Sequence, residues 1–232
     1  MRNYRASGGR FPERPYYKEV QFERITSTEL ESVGLMPSSP KPIRVDWFIE
    51  KRFNITPEYE DLGSRVLGVT LFGERGAEQV IISRALEDGS LVGSRRARTT
   101  MAHEAGHILL HGHLFALGID EPLLFGDFND TGAPRVMCRE GELEDGNGAK
   151  PRYEWHEFQA NRAMSALLLP KKLVAMAIEK FVAPKGRLGL MSLPETLRGD
   201  AVRDLAEVFD VNPAVVRIRM DLLYPESGQG TL

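Results

Sequence analysis

The spacing of hydrophobic residues predicts helices along most of the chain. Apolar side chains recur at helical spacing from Val45 to Phe53, and helix-start and helix-stop signals bound several other segments. Ser94 is a plausible N-cap, proline at 170 ends one helix, and Asn212-Pro213 supplies a cap followed by proline at the first helical position. The predicted helices are 27–34, 45–53, 95–111, 153–168, 171–181, 200–209 and 213–223.

A β-hairpin is predicted in front of the longest helix. Residues 65–72 and 78–84 are rich in strand-forming side chains, and Gly73-Glu-Arg-Gly76 joins them. Because so short a connection separates two strand-like runs, we expect them to pair antiparallel.

Three segments without such patterns set the expected domain organisation. Residues 1–16 combine Gly, Pro and Arg with little to bury, which predicts an unstructured arm. A Pro/Ser-rich linker follows from Met36, and residues 112–152 form a connection too long for a simple turn. The expected units are an arm and linker at 1–40, a main domain at 41–182 with an insertion at 112–152, and a C-terminal helical segment at 183–232 packed on it.

Composition narrows the class of protein. The 232 residues are 42% hydrophobic and 27% charged, as in a soluble chain with a sizeable core. A net charge of -3 argues against a dedicated binder of nucleic acid or acidic membrane. With no secretory signal and no apolar run of about 20 residues, we expect a cytoplasmic location. The single cysteine, Cys138, fits a reducing compartment and excludes zinc sites built from several thiolates.

The histidines are concentrated in one part of the chain, and two of them belong to an HExxH motif. Residues four apart on a helix share a face, so His103 and His107 can bind one ion. Glu104 follows the first histidine, where such sites place a general base. Gly106 is unfavourable inside a helix by about 1 kcal/mol, which suggests close packing against that face. The remaining histidines are His111, His113 and His156.

A catalytic zinc ion requires a third protein ligand, and the residues leave three candidates. His111 lies about 12 Å along the helix axis from His103, a distance that favours a supporting or capping role. His113 has the ligand spacing of metzincins, but leucine at 110 replaces their turn-forming glycine. Glu157 lies on the next strong helix among apolar residues, where an unpaired charge would be costly. Asn161, one turn further on, could hold the ring of a ligating histidine.

Two blocks of sequence resemble the ImmA/IrrE family of metallopeptidases. Thr99-Thr-Met-Ala-His-Glu-Ala-Gly-His107 with Ile-Leu-Leu-His111 is similar to the family's first metal block. Glu157-Phe-Gln-Ala-Asn161, and the run that ends Leu-Leu-Leu-Pro170, is similar to its second. The likeness spans roughly residues 42–223. Gln159 departs from it, since the family commonly has glutamate there, and the insertion is long.

The resemblance implies a fold, a metal and a reaction. The fold would be α+β and zincin-like, of the gluzincin type, with a small twisted antiparallel sheet packed on the metal-binding helices. One Zn²⁺ would be held by His103, His107 and Glu157, with Glu104 as general base. The reaction would be endopeptidase cleavage, and the partner would be a protein substrate, a helix-turn-helix transcriptional repressor. Direct contact with nucleic acid or membrane is not expected, and the sequence leaves the oligomeric state undefined.

Several roles around the proposed site remain open at the level of sequence. The outer strand of the hairpin, within 78–84, is a candidate to pair with an extended substrate. His111, His113, Tyr153 and His156 are candidates to stabilise the transition state, and the sequence does not choose among them. The Cys138 thiolate could occupy the open metal position and hold the enzyme latent. Ligand type alone does not separate zinc from manganese or iron.

Two non-enzymatic functions are alternatives to the peptidase. The C-terminal helix pair could be a helix-turn-helix that binds DNA, but the residues that begin its second helix offer no side-chain donors for base edges. Only Arg217 and Arg219 could reach phosphates. The chain could also be a silent module that holds a repressor without cleaving it. The intact Glu104 argues against this, because a silent site has no use for a base.

Overall fold

The computed structural model describes residues 2–5, 13–73, 75–117, 135–139, 155–185 and 190–225. Helices and strands alternate irregularly along these ranges, which confirms the α+β class. The α-helices in the described ranges are α1 (Glu19–Ser32), α2 (Val45–Phe53), α3 (Leu91–Leu117), α4 (Trp155–Leu168), α5 (Lys171–Ile178), α6 (Glu195–Val208) and α7 (Pro213–Leu223).

The described strands form one four-stranded sheet and two short hairpins. The sheet has the order β3-β5-β4-β6, and the hairpins pair β1 with β2 and β7 with β8. The strands are β1 (Arg2–Arg5), β2 (Glu13–Tyr16), β3 (Glu58–Glu60), β4 (Val66–Gly73), β5 (Gly76–Ser83), β6 (Arg135–Arg139), β7 (Ala183–Lys185) and β8 (Leu190–Ser192).

The predicted hairpin is confirmed as β4 and β5, but the sheet around it corrects two expectations. β3 pairs parallel to β5 through Ile81–Ser83, so the sheet is mixed rather than wholly antiparallel. This pairing covers Ile81–Ser83, so that end of β5 is not free for the substrate pairing expected within 78–84. β6 pairs antiparallel with β4 and forms the other edge of the described sheet.

Helix α3 is longer at both ends than the sequence indicated. It begins at Leu91 because Ser90 Oγ accepts a hydrogen bond at 2.9 Å from the backbone of Gly93, which makes Ser90 rather than Ser94 the N-terminal cap. It continues to Leu117, so the first residues of the expected 112–152 insertion are helical. β6 places a further part of that insertion in the sheet.

Helices α3 and α4 pack against each other beside the sheet and form the centre of the core. Gly106 lies at their contact, where an added Cβ would sit 2.9 Å from the carbonyl oxygen of Ala160. The close packing inferred from Gly106 is thus confirmed. Ala102, Ala105 and Leu167 are fully buried around it. Small side chains let the two helices approach, and this brings their polar groups into one site.

The N-terminal part of the chain differs from the expected unstructured arm. β1 and β2 pair antiparallel over four residues each, and Pro15 in β2 is buried. The following helix, α1, begins at Glu19, eight residues earlier than the helical segment predicted from Ser27. Phe22, Thr26 and Leu30 bury one face of it, spaced four residues apart as an amphipathic helix requires.

Helix α7 has the predicted bounds, α6 begins at Glu195, five residues before the predicted start, and one arginine has a different environment. Asn212 caps α7 by accepting a hydrogen bond at 2.9 Å from the Ala214 backbone. Arg219, which the sequence offered as a phosphate contact, is 2% exposed. Its guanidinium donates to the carbonyl of Leu169 at 2.9 Å and pairs with Glu23 of α1. Within the described ranges, no helix combines the length and apolarity that crossing a membrane requires.

Candidate metal centre

Helix α3 supplies the first two groups of the site. His103 and His107 lie one turn apart on the same face and are fully buried. The Nε2 atoms of the two rings are 3.0 Å apart, so both rings point at the same region. Buried rings placed this way have few alternative rotamers, because apolar neighbours of α3 and α4 fill the surrounding space.

Helix α4 supplies the third group, Glu157, in its first turn. Glu157 Oε2 lies 3.0 Å from His103 Nε2, and Oε1 lies 3.3 Å from His107 Nε2. One ligand atom from each of the three residues lies within 4.8 Å of the others. Among the described residues that could hold a metal, this is the group that comes together, and Glu157 rather than His111 or His113 completes it.

The donor set fits a small divalent ion. In a tetrahedral site with Zn–N distances of about 2.0–2.1 Å, neighbouring donor atoms are separated by about 3.3–3.4 Å. The separations of 3.0 and 3.3 Å found here are close to that value. Two imidazoles and one carboxylate are also the ligand types that catalytic zinc sites use, with one coordination position left for water or substrate.

The two histidines and Glu157 shift one another's pKa values. Burial lowers the pKa of His103, but the hydrogen bond and charge of Glu157 outweigh it and raise that pKa to about 9. Burial lowers the pKa of His107 to about 4, against the opposing effect of Glu157. Burial would raise the pKa of Glu157, yet the charge of His107 and the hydrogen bonds from the histidines hold it well below its usual range. The carboxylate is therefore ionised and ready to bind a cation.

The Glu104 side chain contacts strand β4 of the sheet. Its Oε2 accepts a hydrogen bond of 2.6 Å from Thr70 Oγ1, and both residues are fully buried. Strand β4 comes this close because residue 68 is glycine. A Cβ at Gly68 would lie 3.0 Å from Glu104 Oε1 and 2.5 Å from Thr100 Cγ2. The sequence reasoning missed Thr70 and Gly68, although a glycine inside a strand is a signal of close backbone approach.

Asn161 and His111 contact the two metal-site histidines from behind. Asn161 Oδ1 lies 2.9 Å from His103 Nδ1 and accepts a hydrogen bond from it, which orients the ring with Nε2 toward Glu157. His111 Nδ1 lies 3.2 Å from His107 Nδ1. Burial, and then the neighbouring His107, hold the pKa of His111 well below its ordinary value, so its imidazole is neutral.

Of the other candidate residues whose side chains the structure describes, only His156 is seen beside the site. His156 is buried, and its Nδ1 lies 3.1 Å from Glu157 Oε1, which places its ring at the edge of the site. His113 is exposed and is not part of the three-residue group. Tyr153 lies outside the described residues. Cys138 lies in β6 with its backbone opposite Gly68, and its side chain is outside what the structure describes.

Comparison with models of known protein families finds no match for this chain. A comparison with curated proteins finds no match either. The geometry of the His103, His107 and Glu157 group therefore stands as the main finding from which function can be inferred.

Proposed function

We propose that the protein is a zinc-dependent endopeptidase of the ImmA/IrrE type. One observation carries the proposal: two imidazole Nε2 atoms and one carboxylate converge within 4.8 Å, and Glu104 directly follows the first ligand on the same helix. His103, His107 and Glu157 would hold the ion. A buried His₂Glu group with an adjacent glutamate is the arrangement used in metal-assisted peptide hydrolysis.

The ion would supply Lewis acidity, lowering the pKa of water toward about 7 and polarising the scissile carbonyl. The chain supplies the proton transfer. The Glu104 carboxylate accepts a proton from the attacking water and delivers it to the leaving amine. Thr70 holds Oε2 of that carboxylate, so its orientation is set before substrate arrives. Asn161 and His111 keep the ligand rings in place through their Nδ1 atoms.

For the substrate class, support comes from the resemblance of the two metal blocks to the ImmA/IrrE family. That resemblance favours a helix-turn-helix repressor as the protein that is cleaved. It includes the residues that form the site here, His103 to His107 and Glu157 to Asn161. The relevant biological outcome would be relief of repression by proteolysis.

The DNA-binding alternative has little support from the helices that would carry it. Val215 and Val216, near the start of α7, are 2% and 0% exposed, so this end of the helix faces the core. Arg217 remains exposed, but the other arginine of the pair, Arg219, is buried. A recognition helix needs its first residues at base edges, and here Val215 and Val216 are packed in the core.

The decisive experiment pairs metal analysis with a cleavage assay. Wild type, Glu104→Gln and the exposed control Glu31→Gln would be purified, analysed for bound metal, and incubated with the repressor encoded beside the gene. We expect about one zinc ion per chain in all three proteins, and cleavage by wild type and Glu31→Gln but not by Glu104→Gln. Full cleavage by Glu104→Gln would refute the proposal. Repressor binding without cleavage by wild type would favour the silent regulator.

A further inference from the structure

A chain of buried hydrogen bonds links His107 to the N-terminal hairpin. His107 Nδ1 lies 3.2 Å from His111 Nδ1, and His111 Nε2 lies 3.0 Å from Gln159 Oε1. Gln159 Nε2 then donates at 2.6 Å to the carbonyl oxygen of Pro15 in β2. His107, His111 and Gln159 are 0%, 1% and 7% exposed, so water has little access to these contacts.

The Pro15 carbonyl determines the direction of every bond in this chain. A carbonyl can only accept, so the Gln159 amide must turn its NH₂ group toward Pro15. Its oxygen then faces His111, and His111 Nε2 must carry a proton to meet it. With its proton on Nε2, His111 presents the lone pair of Nδ1 to His107, whose Nδ1 lies 3.2 Å away. His107 must then carry its proton on Nδ1, which leaves the lone pair of Nε2 directed into the metal site.

We infer that Gln159 is a positioning residue that fixes the metal-binding tautomer of His107 through His111, and that the Pro15 carbonyl of β2 holds the Gln159 amide in the orientation this requires. The inference rests on the metal site of the proposed function and adds to it a role for the N-terminal hairpin. The partner group that orients a ligating histidine is usually a carboxylate or a backbone carbonyl. Here the partner is the Pro15 backbone carbonyl, which lies in a strand 144 residues away from Gln159 in sequence. It acts through the side chains of Gln159 and His111.

An amide at position 159 is required for this connection. A glutamate there would accept from His111 equally well, but its carboxylate would face the Pro15 carbonyl with two acceptors 2.6 Å apart and no proton between them. The Gln159 side chain therefore joins two tasks that a carboxylate would separate: it orients His111, and it attaches β2 to α4.

Three variants of the full-length chain separate these tasks. Gln159→Leu removes both contacts, while Gln159→Glu keeps the acceptor for His111 and removes the donor to Pro15. Gln21→Glu is the matched control, because Gln21 Oε1 accepts from the Lys18 backbone at α1 and a glutamate fills the same capping role. Each protein would be checked for native circular dichroism before use.

The readouts are histidine tautomers by ¹⁵N NMR and zinc affinity by competition with a chromophoric chelator. In the wild type and in Gln21→Glu we expect His107 protonated on Nδ1 and His111 on Nε2, with and without zinc. Gln159→Leu should give mixed tautomers and bind zinc about 10- to 100-fold more weakly. Gln159→Glu should keep the tautomers and bind zinc within about threefold of wild type, while backbone amides of β2 exchange with solvent faster.

Two results would overturn the inference: wild-type His111 protonated on Nδ1, or Gln159→Leu with unchanged tautomers and zinc affinity within twofold of wild type. If Gln159→Leu does not fold, unchanged amide exchange in β2 of Gln159→Glu decides against the link to Pro15. Neither readout depends on proteolysis. A wild type that binds zinc and cleaves nothing would contradict the proposed function alone, and tautomers in the metal-free protein test the relay even without metal binding.

Discussion

Gly106 of α3 and Ala160 of α4 are in backbone contact, and this contact sets the distance between the two helices that carry the metal site. An added Cβ at Gly106 would lie 2.9 Å from the Ala160 carbonyl oxygen and 3.3 Å from Ala163 Cβ. Backbone atoms cannot rotate out of the way as a flexible side chain can. The spacing of His103 and His107 from Glu157 therefore depends on the absence of a side chain at position 106.

Gly106→Ala should destabilise the protein even though alanine favours a helix by about 1 kcal/mol over glycine. Forcing α3 and α4 apart should outweigh that gain, for a net loss of about 1–2 kcal/mol and weaker zinc binding. Gly112→Ala in the same helix is the control, because its Cβ would meet Phe72 at a comfortable 3.9 Å. Denaturant unfolding of the metal-free proteins should show Gly112→Ala equal to or more stable than wild type. Equal stabilities for the two variants would contradict the role given to the contact.

Thr70→Val should reduce catalysis without removing the metal. The substitution deletes the hydroxyl that donates to Glu104 Oε2 and leaves the shape of the residue nearly unchanged. We expect kcat for repressor cleavage to fall about 10- to 100-fold, with stability reduced by about 1–3 kcal/mol. Thr70→Ser keeps the hydroxyl and should retain most of the activity. The prediction fails if Thr70→Val and Thr70→Ser have the same kcat.

Glu157→Gln should weaken zinc binding, whereas His113→Gln should not. Glu157 places both carboxylate oxygens near the ligand histidines, while His113 is exposed outside the group. A ligand that binds only the folded state stabilises it by about 2.7 kcal/mol at one hundred times its dissociation constant. A strong chelator should therefore lower the melting temperature of wild type and His113→Gln, and have little effect on Glu157→Gln. The opposite pattern would make His113 the third ligand.

Asp210 should contribute to stability at neutral pH and lose that contribution in acid. Burial raises its pKa, but hydrogen bonds from Arg95 and Arg98 outweigh this and lower it below the ordinary value of 3.8. A group with a lowered folded-state pKa stabilises the protein above its unfolded pKa and loses that effect as the pH falls through the folded value. Because the carboxylate is partly exposed, the contribution should be only about 1 kcal/mol.

Asp210→Asn measures this contribution cleanly. Residue 210 has a φ of 49°, in the left-handed region that asparagine tolerates as well as aspartate does, so the backbone is not perturbed. Urea unfolding at pH 7 should show Asp210→Asn less stable than wild type by about 1 kcal/mol. The difference should shrink toward zero by about pH 2. A constant difference at both pH values would assign the effect to packing rather than charge.

The sequence predicted the parts of this structure that local patterns encode. α2 and the β4–β5 hairpin occur where periodicity placed them, and α7 starts at the proline that follows its cap. His103 and His107 were identifiable because an HExxH motif fixes their spacing within one helix. The prediction of Glu157 required the second sequence block and the apolar residues around it, because no spacing rule connects residues 50 positions apart on two helices.

What the sequence could not give depends on contacts between distant segments. The short N-terminal segment has too little apolar content to predict order, yet the Pro15 carbonyl of β2 accepts a hydrogen bond from Gln159 of α4. Likewise β5 looked like an outer strand because its cover, the three-residue β3, is too short to be recognised from periodicity. The roles of Gly68 and Thr70 could be recognised only from the packing of β4 against the helix that carries Glu104.

The buried pair of Glu23 and Arg219 has a consequence for the limits of the folding unit. It ties α1 to α7, and Arg219 also donates to the Leu169 carbonyl just after α4. Replacing Glu23 would leave the buried Arg219 guanidinium without its carboxylate partner, which is more costly than losing a surface contact. Both helices therefore belong to the same folding unit, and the C-terminal helix contributes to the stability of the part of the chain that carries the histidines.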